Sequence, residues 1–114
     1  MEEKKEIVCA EIKTKGSRFS FLQEDQEIAR ATVYFLKNDL HEEKFGFIED
    51  VFVREDFRGK KLGTKLIKKI IEYAKQEKCY KLIATSRLER ESVHMLYKKL
   101  GFEERGKEFR MDFF

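Results

Sequence analysis

The hydrophobic period changes once along this chain, and that change limits the fold more than any other feature. Up to Val53 apolar residues tend to alternate with polar ones, whereas from Leu62 they recur three and four apart. Alternation belongs to strands with one buried face, and the longer period to a helix lying across them. Strands are expected at Ile7 to Lys13, Arg18 to Gln23, Ile28 to Leu36 and Phe45 to Val53. Turns fall at Lys15-Gly16-Ser17 and Glu24-Asp25-Gln26, with a polar loop from Asn38 to Glu43. Leu62, Leu66, Ile67, Ile70, Ile71 and Ala74 then form one helical stripe, with Lys and Glu opposite.

Tyr80 to Thr85 reads as a short strand, and Glu91 to Leu100 as a helix turning Val93, Leu96, Tyr97 and Leu100 inward. Gly101 stops that helix. Phe102-Glu103-Glu104 and Glu108 to Phe114 read as a closing hairpin that turns at Arg105-Gly106-Lys107. A strand, helix and strand between residues 45 and 86 require a parallel pair joined by a right-handed crossover. The rest is antiparallel, so an α+β fold follows: one domain over residues 1–114, with a mixed, mostly antiparallel sheet and two main helices.

Composition narrows the function. A chain of 114 residues has room for one modest core, and 41% hydrophobic with 41% charged residues describes a soluble protein. No apolar run is long enough for a bilayer, and Met1-Glu2-Glu3-Lys4-Lys5-Glu6 leads into no signal-peptide core. A cytoplasmic protein with no membrane partner is expected. The net charge of +3 is too balanced to argue for nucleic acid. Lys65, Lys68 and Lys69 read as a solvated helix face. Cys9 and Cys79 lack CxxC spacing and a nearby His, and read as buried reduced thiols. His41 belongs to the polar loop, and no metal site is expected.

Between the strand ending at Val53 and the helix beginning near Leu62 lies Arg54-Glu55-Asp56-Phe57-Arg58-Gly59-Lys60-Lys61. Such a junction aims unpaired backbone N–H groups and the positive end of the helix dipole at one point, which suits a phosphate. Arg58, Lys60 and Lys61 add charge. The loop alone fits an anion site and an ordinary solvated turn about equally.

Two motifs separated by a helix and a strand resemble the GNAT superfamily of acyl-CoA-dependent N-acyltransferases. Arg58-Gly59-Lys60-Lys61-Leu62-Gly63 resembles the family's phosphate loop, and Leu96-Tyr97-Lys98-Lys99-Leu100-Gly101-Phe102 its Tyr-x-x-x-Gly-Phe signature. The resemblance covers roughly residues 28 to 114. It implies acetyl-CoA as co-substrate, with its pyrophosphate on the main chain of Arg58, Gly59, Lys60, Lys61, Leu62, Gly63 and Thr64. The pantetheine arm would enter between parallel strands that splay near Val53 and Ser86. A backbone amide among Val51, Phe52 and Val53 would polarise the thioester carbonyl. The implied reaction is direct attack of a primary amine through a tetrahedral intermediate.

Tyr97 matches the family's general acid, although it also sits on the core stripe. Glu49, in Ile48-Glu49-Asp50-Val51-Phe52-Val53, resembles the base of polyamine-type members, with a structural ion pair as the competing role and Asp50 as second candidate. Alternation would turn Glu49 with Val51 and Val53, and Asp50 with Ile48 and Phe52. His94 would face away from the thioester. Arg90 and Lys98 could reach the cofactor's 3′-phosphate. The chain departs from the family pattern in four places. Lys61 stands where Gly is common, Arg90 where many relatives carry Asn, and Glu55 for a frequent Pro. The segment Thr14 to Asp25 is too short for the two helices that usually wall the acceptor. The acceptor side would then be open, or completed by a second chain. The alternatives are a non-catalytic acyl-CoA-binding module and, lowest, a basic nucleic-acid-binding domain. The acceptor amine and the oligomeric state stay open, a homodimer through the strand ending Phe113-Phe114 included.

Overall fold

The alternating half of the chain pairs into a meander of three strands, β1 (Lys15–Gln23), β2 (Gln26–Leu36) and β3 (Phe45–Val53). This computed structural model describes residues 5–114, and the charged start from Met1 to Lys4 lies outside them. A fourth strand, β4 (Leu82–Ala84), joins parallel to β3, and the sheet order is β1-β2-β3-β4. Two helices complete the α+β fold: α1 (Leu62–Gln76) and α2 (Glu91–Lys99). No helix among the described residues is long and apolar enough to cross a membrane.

The core lies between α1 and one face of the sheet. Ala29, Ala31, Val33 and Phe35 of β2 and Ile48 of β3 are buried there against Leu66, Ile67 and Ile70. Small Ala residues let the helix approach the middle of β2, and each buried Leu or Ile contributes about 1.5–3 kcal/mol. Tyr73 closes one end of this layer. Its ring meets Phe19 edge-on at 5.2 Å, and its hydroxyl lies 3.1 Å from Ser17 Oγ. Lys65, Lys68 and Lys69 point into solvent, as the helical stripe requires.

Several local expectations give way to tertiary context. Lys15-Gly16-Ser17 is strand, not turn, because Gly16 serves close packing: a Cβ there would stand 2.7 Å from the Val33 carbonyl oxygen. The turn that does form, Glu24-Asp25, holds both residues in the left-handed region at φ 51° and 64°, as a two-residue hairpin requires. Ile7 to Lys13 forms no strand. It carries apolar side chains on both faces and finds no pairing ladder, so Ile7, Val8 and Ile12 stand exposed. Cys9 is therefore exposed rather than buried, while Cys79 is half-buried, its thiol pushed up by burial. The closing hairpin is also absent: beyond Phe102 the chain is neither strand nor helix and is exposed throughout. Without that cover, α2 has no fully buried residue.

Ile70→Ala should lower the unfolding free energy by about 2–5 kcal/mol, because its side chain is completely enclosed. Lys68→Ala should stay within about 0.5 kcal/mol. Urea unfolding followed by circular dichroism measures both. Equal effects would mean that α1 does not pack as described.

Candidate functional site

Pairing between β3 and β4 covers only Gly46 with Leu82, Phe47 with Ile83 and Ile48 with Ala84. From Glu49 to Val53, β3 keeps its partner β2 but has no strand on its other edge among the described residues. The Arg54 N–H donates to the Ile28 carbonyl on β2 at 2.8 Å, so alternation turns the peptide groups of Val53 away from β2, towards that open edge. There the Val53 carbonyl accepts a hydrogen bond from Arg58 Nε at 3.0 Å. The short parallel pair thus leaves main-chain groups at an edge where an extended amide-bearing ligand could bond.

The start of α1 faces the same space. Lys61, its N-cap, is left-handed (φ 61°, ψ 26°) and offers no side-chain cap. The first helical bond runs from the Lys65 N–H to the Lys61 carbonyl, 3.1 Å, which leaves the N–H groups of Leu62, Gly63 and Thr64 without helical partners. A cavity of about 300 Å³ opens there, with Val53, Arg58, Gly59, Lys61, Gly63 and Leu96 in its wall. Gly59 is also left-handed (φ 82°), and a side chain there would meet nothing within 4 Å.

The cations around this opening are partly committed. The Arg58 main-chain N–H is taken by the Glu55 carbonyl at 3.3 Å, in the single turn of 3-10 helix at Glu55–Phe57. That confines the free amides to Gly59 through Thr64. Lys60 Nζ stands 5.0 Å from the centre of the Phe57 ring, which Arg54 also covers at 4.9 Å. Arg54 in turn holds Asp56 at 2.7 Å, and that bond keeps the Asp56 carboxyl below its ordinary range. Lys61 occupies the glycine position of the loop pattern in the backbone conformation that glycine tolerates best.

The second motif has a direct physical reading. Gly101 is left-handed (φ 105°), its N–H donates to the Lys98 carbonyl at 3.1 Å, and the Phe102 N–H donates to the Tyr97 carbonyl at 2.9 Å. This is a Schellman stop, whose hydrophobic contact joins the residue after the glycine to the one five positions earlier. Here that contact is Phe102 against Tyr97, ring centres 5.2 Å apart. The motif therefore fixes the tyrosine ring. Burial raises the Tyr97 phenol above its usual pKa, with Arg90 opposing weakly, so the group stays protonated and able to donate. Arg90 itself is the N-cap of α2, and its carbonyl accepts from the Val93 and His94 N–H groups.

The carboxylates do not lie as alternation alone suggests. Between Arg30 and Thr32 the β2–β3 register shifts, and Asp50 is left-handed (φ 55°), the mark of a bulge in β3. Glu49 pairs with Thr32, and Phe52 with Arg30, so both face away from α1, while Val53 packs towards Gly63. Glu49 thus parts from Val53, and Asp50 from Ile48. Asp50 takes the ion pair: Arg30 donates to it at 2.7 and 3.2 Å, holding its carboxyl below the ordinary range. Arg30 also stacks on Phe52 at 4.6 Å and reaches Glu27 at 3.3 Å. Glu49 is exposed and makes no ion pair among the described residues.

Arg30 and Phe57 escaped the sequence reading. An Arg inside an apolar strand was a signal, but its partner depends on a register that one strand does not reveal. His94 is tied to the Arg87 carbonyl at 2.8 Å, a packing role, and His41 lies against Tyr80, ring centres 4.4 Å apart. Lys98 pairs with Glu104 at 3.6 Å. Neither Glu49 nor Tyr97 lines the cavity at the start of α1, although Leu96, next to Tyr97, does.

Glu27 bonds to Ser20 at 2.6 Å and to Arg18 and Arg30, which lowers its pKa from 4.5 to about 2. Between those values the unfolded chain binds the proton first, so stability falls as pH drops from 4.5 towards 2. Urea midpoints should fall across that window, and less steeply in Glu27→Gln; an equal slope would remove Glu27 as a source. Gly101→Ala should cost about 1–2 kcal/mol in unfolding free energy, and Gly101→Asn less. Equal losses would contradict the Schellman reading.

Comparison with known proteins adds independent findings. The acetyltransferase (GNAT) family model matches residues 1–102. The chain is 38% identical over 63 residues to a protein of Oryza sativa subsp. japonica named probable glucosamine 6-phosphate N-acetyltransferase 2, covering 55% of this chain and 36% of that one. It is 33% identical over 82 residues to glucosamine 6-phosphate N-acetyltransferase of Candida albicans, covering 71% and 53%. The chain thus spans less than two thirds of these relatives. The crystal structure of glucosamine-6-phosphate N-acetyltransferase from Arabidopsis thaliana superposes with a TM-score of 0.76 at 29% identity, covering 86% of this chain and 67% of that one.

Proposed function

The chain belongs to the acetyltransferase (GNAT) family, and from that premise we propose that it transfers an acetyl group from acetyl-CoA to a primary amine. The observation that carries this reading is the uncapped start of α1, which opens onto a cavity beside the unpaired edge of β3. Diphosphate and amide-bearing arm need those two features side by side. Acetyl-CoA, when bound, supplies the activated acetyl thioester. The amides of Gly59 to Thr64 hold the diphosphate, the open edge at Val51 and Val53 bonds the arm and carbonyl while Phe52, paired with Arg30, keeps its peptide groups on β2, and Arg58, Lys60, Lys61 and Arg90 add positive charge. Where the arm takes the Val53 carbonyl from Arg58, the freed guanidinium turns to phosphate.

Tyr97 is the proposed acid. Its protonated phenol, aimed by Phe102, gives a proton to the departing thiolate. Glu49 is the proposed base: exposed and uncommitted, it can take a proton from the incoming ammonium directly or through water. Asp50, locked to Arg30, is the weaker candidate because accepting a proton breaks that clamp. The names of the relatives make glucosamine 6-phosphate the first acceptor to test. Residues 1–114 act as one domain in this reading.

Mixing protein, acetyl-CoA and an amine panel led by glucosamine 6-phosphate should release free thiol. Tyr97→Phe should lower turnover by about 10²–10⁴-fold with little change in acetyl-CoA affinity by calorimetry. Equal turnover in that variant would remove Tyr97 from the chemistry. Saturable cofactor binding without thiol release from any amine would favour the non-catalytic module.

A further inference from the structure

Asp50 adopts a backbone conformation that its place in the chain does not explain. Its φ of 55° lies in the left-handed region, as do the φ angles of Glu24, Asp25, Lys61 and Lys78. Those four stand at the β1–β2 turn or at the two ends of α1, where such angles are common. Asp50 stands inside β3, and no glycine makes its angle easy. Arg30, across the ladder on β2, holds it. Nε donates to Asp50 Oδ2 at 2.7 Å and Nη2 to Oδ1 at 3.2 Å. The guanidinium is itself fixed, stacked on Phe52 and bonded to Glu27, which also accepts from Arg18 and Ser20.

The bulge at that angle decides which amides face the open edge. Before it, the Gly46 N–H donates to the Lys81 carbonyl at 3.0 Å, so even-numbered peptide groups point to the β4 side and odd-numbered ones to β2. After it, the Arg54 N–H donates to the Ile28 carbonyl on β2, and the order is reversed. One inserted residue has moved Val51 and Val53 to the open edge and Phe52 to β2. In a regular strand Phe52 would take the edge instead. The reversal also turns the Val53 side chain towards Gly63, and both line the cavity at the start of α1.

We propose that Arg30 is a positioning residue for acetyl transfer: by gripping Asp50 it holds the bulge that presents Val51 and Val53, rather than Phe52, to the amide-bearing arm of the cofactor. This role rests on the acetyl-transfer reading. Arg30 lies on the face away from α1, so it acts through the backbone of Asp50 and not on the cofactor's phosphates. A partly exposed ion pair adds little to global stability, but a forked one inside a network fixes geometry. Its loss should disturb the edge more than the fold.

Amide NMR during titration with coenzyme A separates those effects. In Arg30→Met, the shifts of Val51 and Val53 should largely vanish while those of Gly59 to Thr64 still saturate, and the urea midpoint should move little. Arg30→Lys keeps the charge without the fork and should recover only part of the edge shifts. Asp50→Gly reaches the angle without a clamp, so it should keep more of them than Asp50→Ala. Adding Arg30→Met to Asp50→Gly should then cost nothing further. With an amine that the wild type acetylates, Arg30→Met should lower turnover by about 10–10²-fold, with a smaller change in the acetyl-CoA KM. Edge shifts in Arg30→Met equal to those of the wild type would overturn the proposal and leave the acetyl-transfer reading standing. A folded wild type whose loop and edge amides both ignore coenzyme A would overturn both. Should Arg30→Met unfold, the Asp50 variants decide: equal edge shifts in Asp50→Gly and Asp50→Ala would overturn the clamp.

Discussion

β3 is paired on both sides for three residues and then on one side only, and the geometry of the candidate site follows from that interruption. A strand that keeps its full ladder on both edges offers no main-chain bond to a ligand. Once β4 ends at Ala84, β3 has an open edge beyond Ile48, while β2 stays paired on its other side. The bulge at Asp50 steepens the local twist, and Arg30 holds it with two bonds to the carboxylate and a stacked Phe52. The open backbone edge is thus braced by β2 and, on the face away from α1, by charge and aromatic contact.

The two motifs divide the remaining work. The basic loop ends in a left-handed Lys61 that leaves the first helical amides uncapped, so the dipole of α1 is not spent on its own side chains. The Tyr-x-x-x-Gly-Phe run serves a conformational purpose. Glycine allows the helix to stop, the stop folds Phe102 back, and Phe102 holds the ring of Tyr97. Burial then keeps the phenol protonated. The proposed acid is thus also a core residue, because the packing that buries Tyr97 also fixes its ring.

Features carried by local periodicity were legible in the sequence. Phe45 to Val53 begins and ends in the structure where alternation placed it, and α1 buries Leu66, Ile67, Ile70 and Ala74 as its stripe requires. What failed needed a partner that no local pattern names. Ile7 to Lys13 is apolar on both faces and Glu108 to Phe114 alternates, but a strand exists only against a ladder, and among the described residues neither segment has one. The face of Glu49 was misjudged for a related reason: a bulge shifts the register by one residue, and one residue reverses a side chain. Gly16 was read as a turn because glycine's close approach to Val33 belongs to the neighbouring strand. Both unpaired segments leave apolar side chains in water.

The most direct test of the central claim is residue-resolved amide NMR during titration with coenzyme A. The account requires the shifts to concentrate in Gly59 to Thr64 and in Val51 to Val53, the amides that open α1 and edge β3, with saturation at a common affinity. Shifts confined to other parts of the surface, or none in a folded protein, would contradict it.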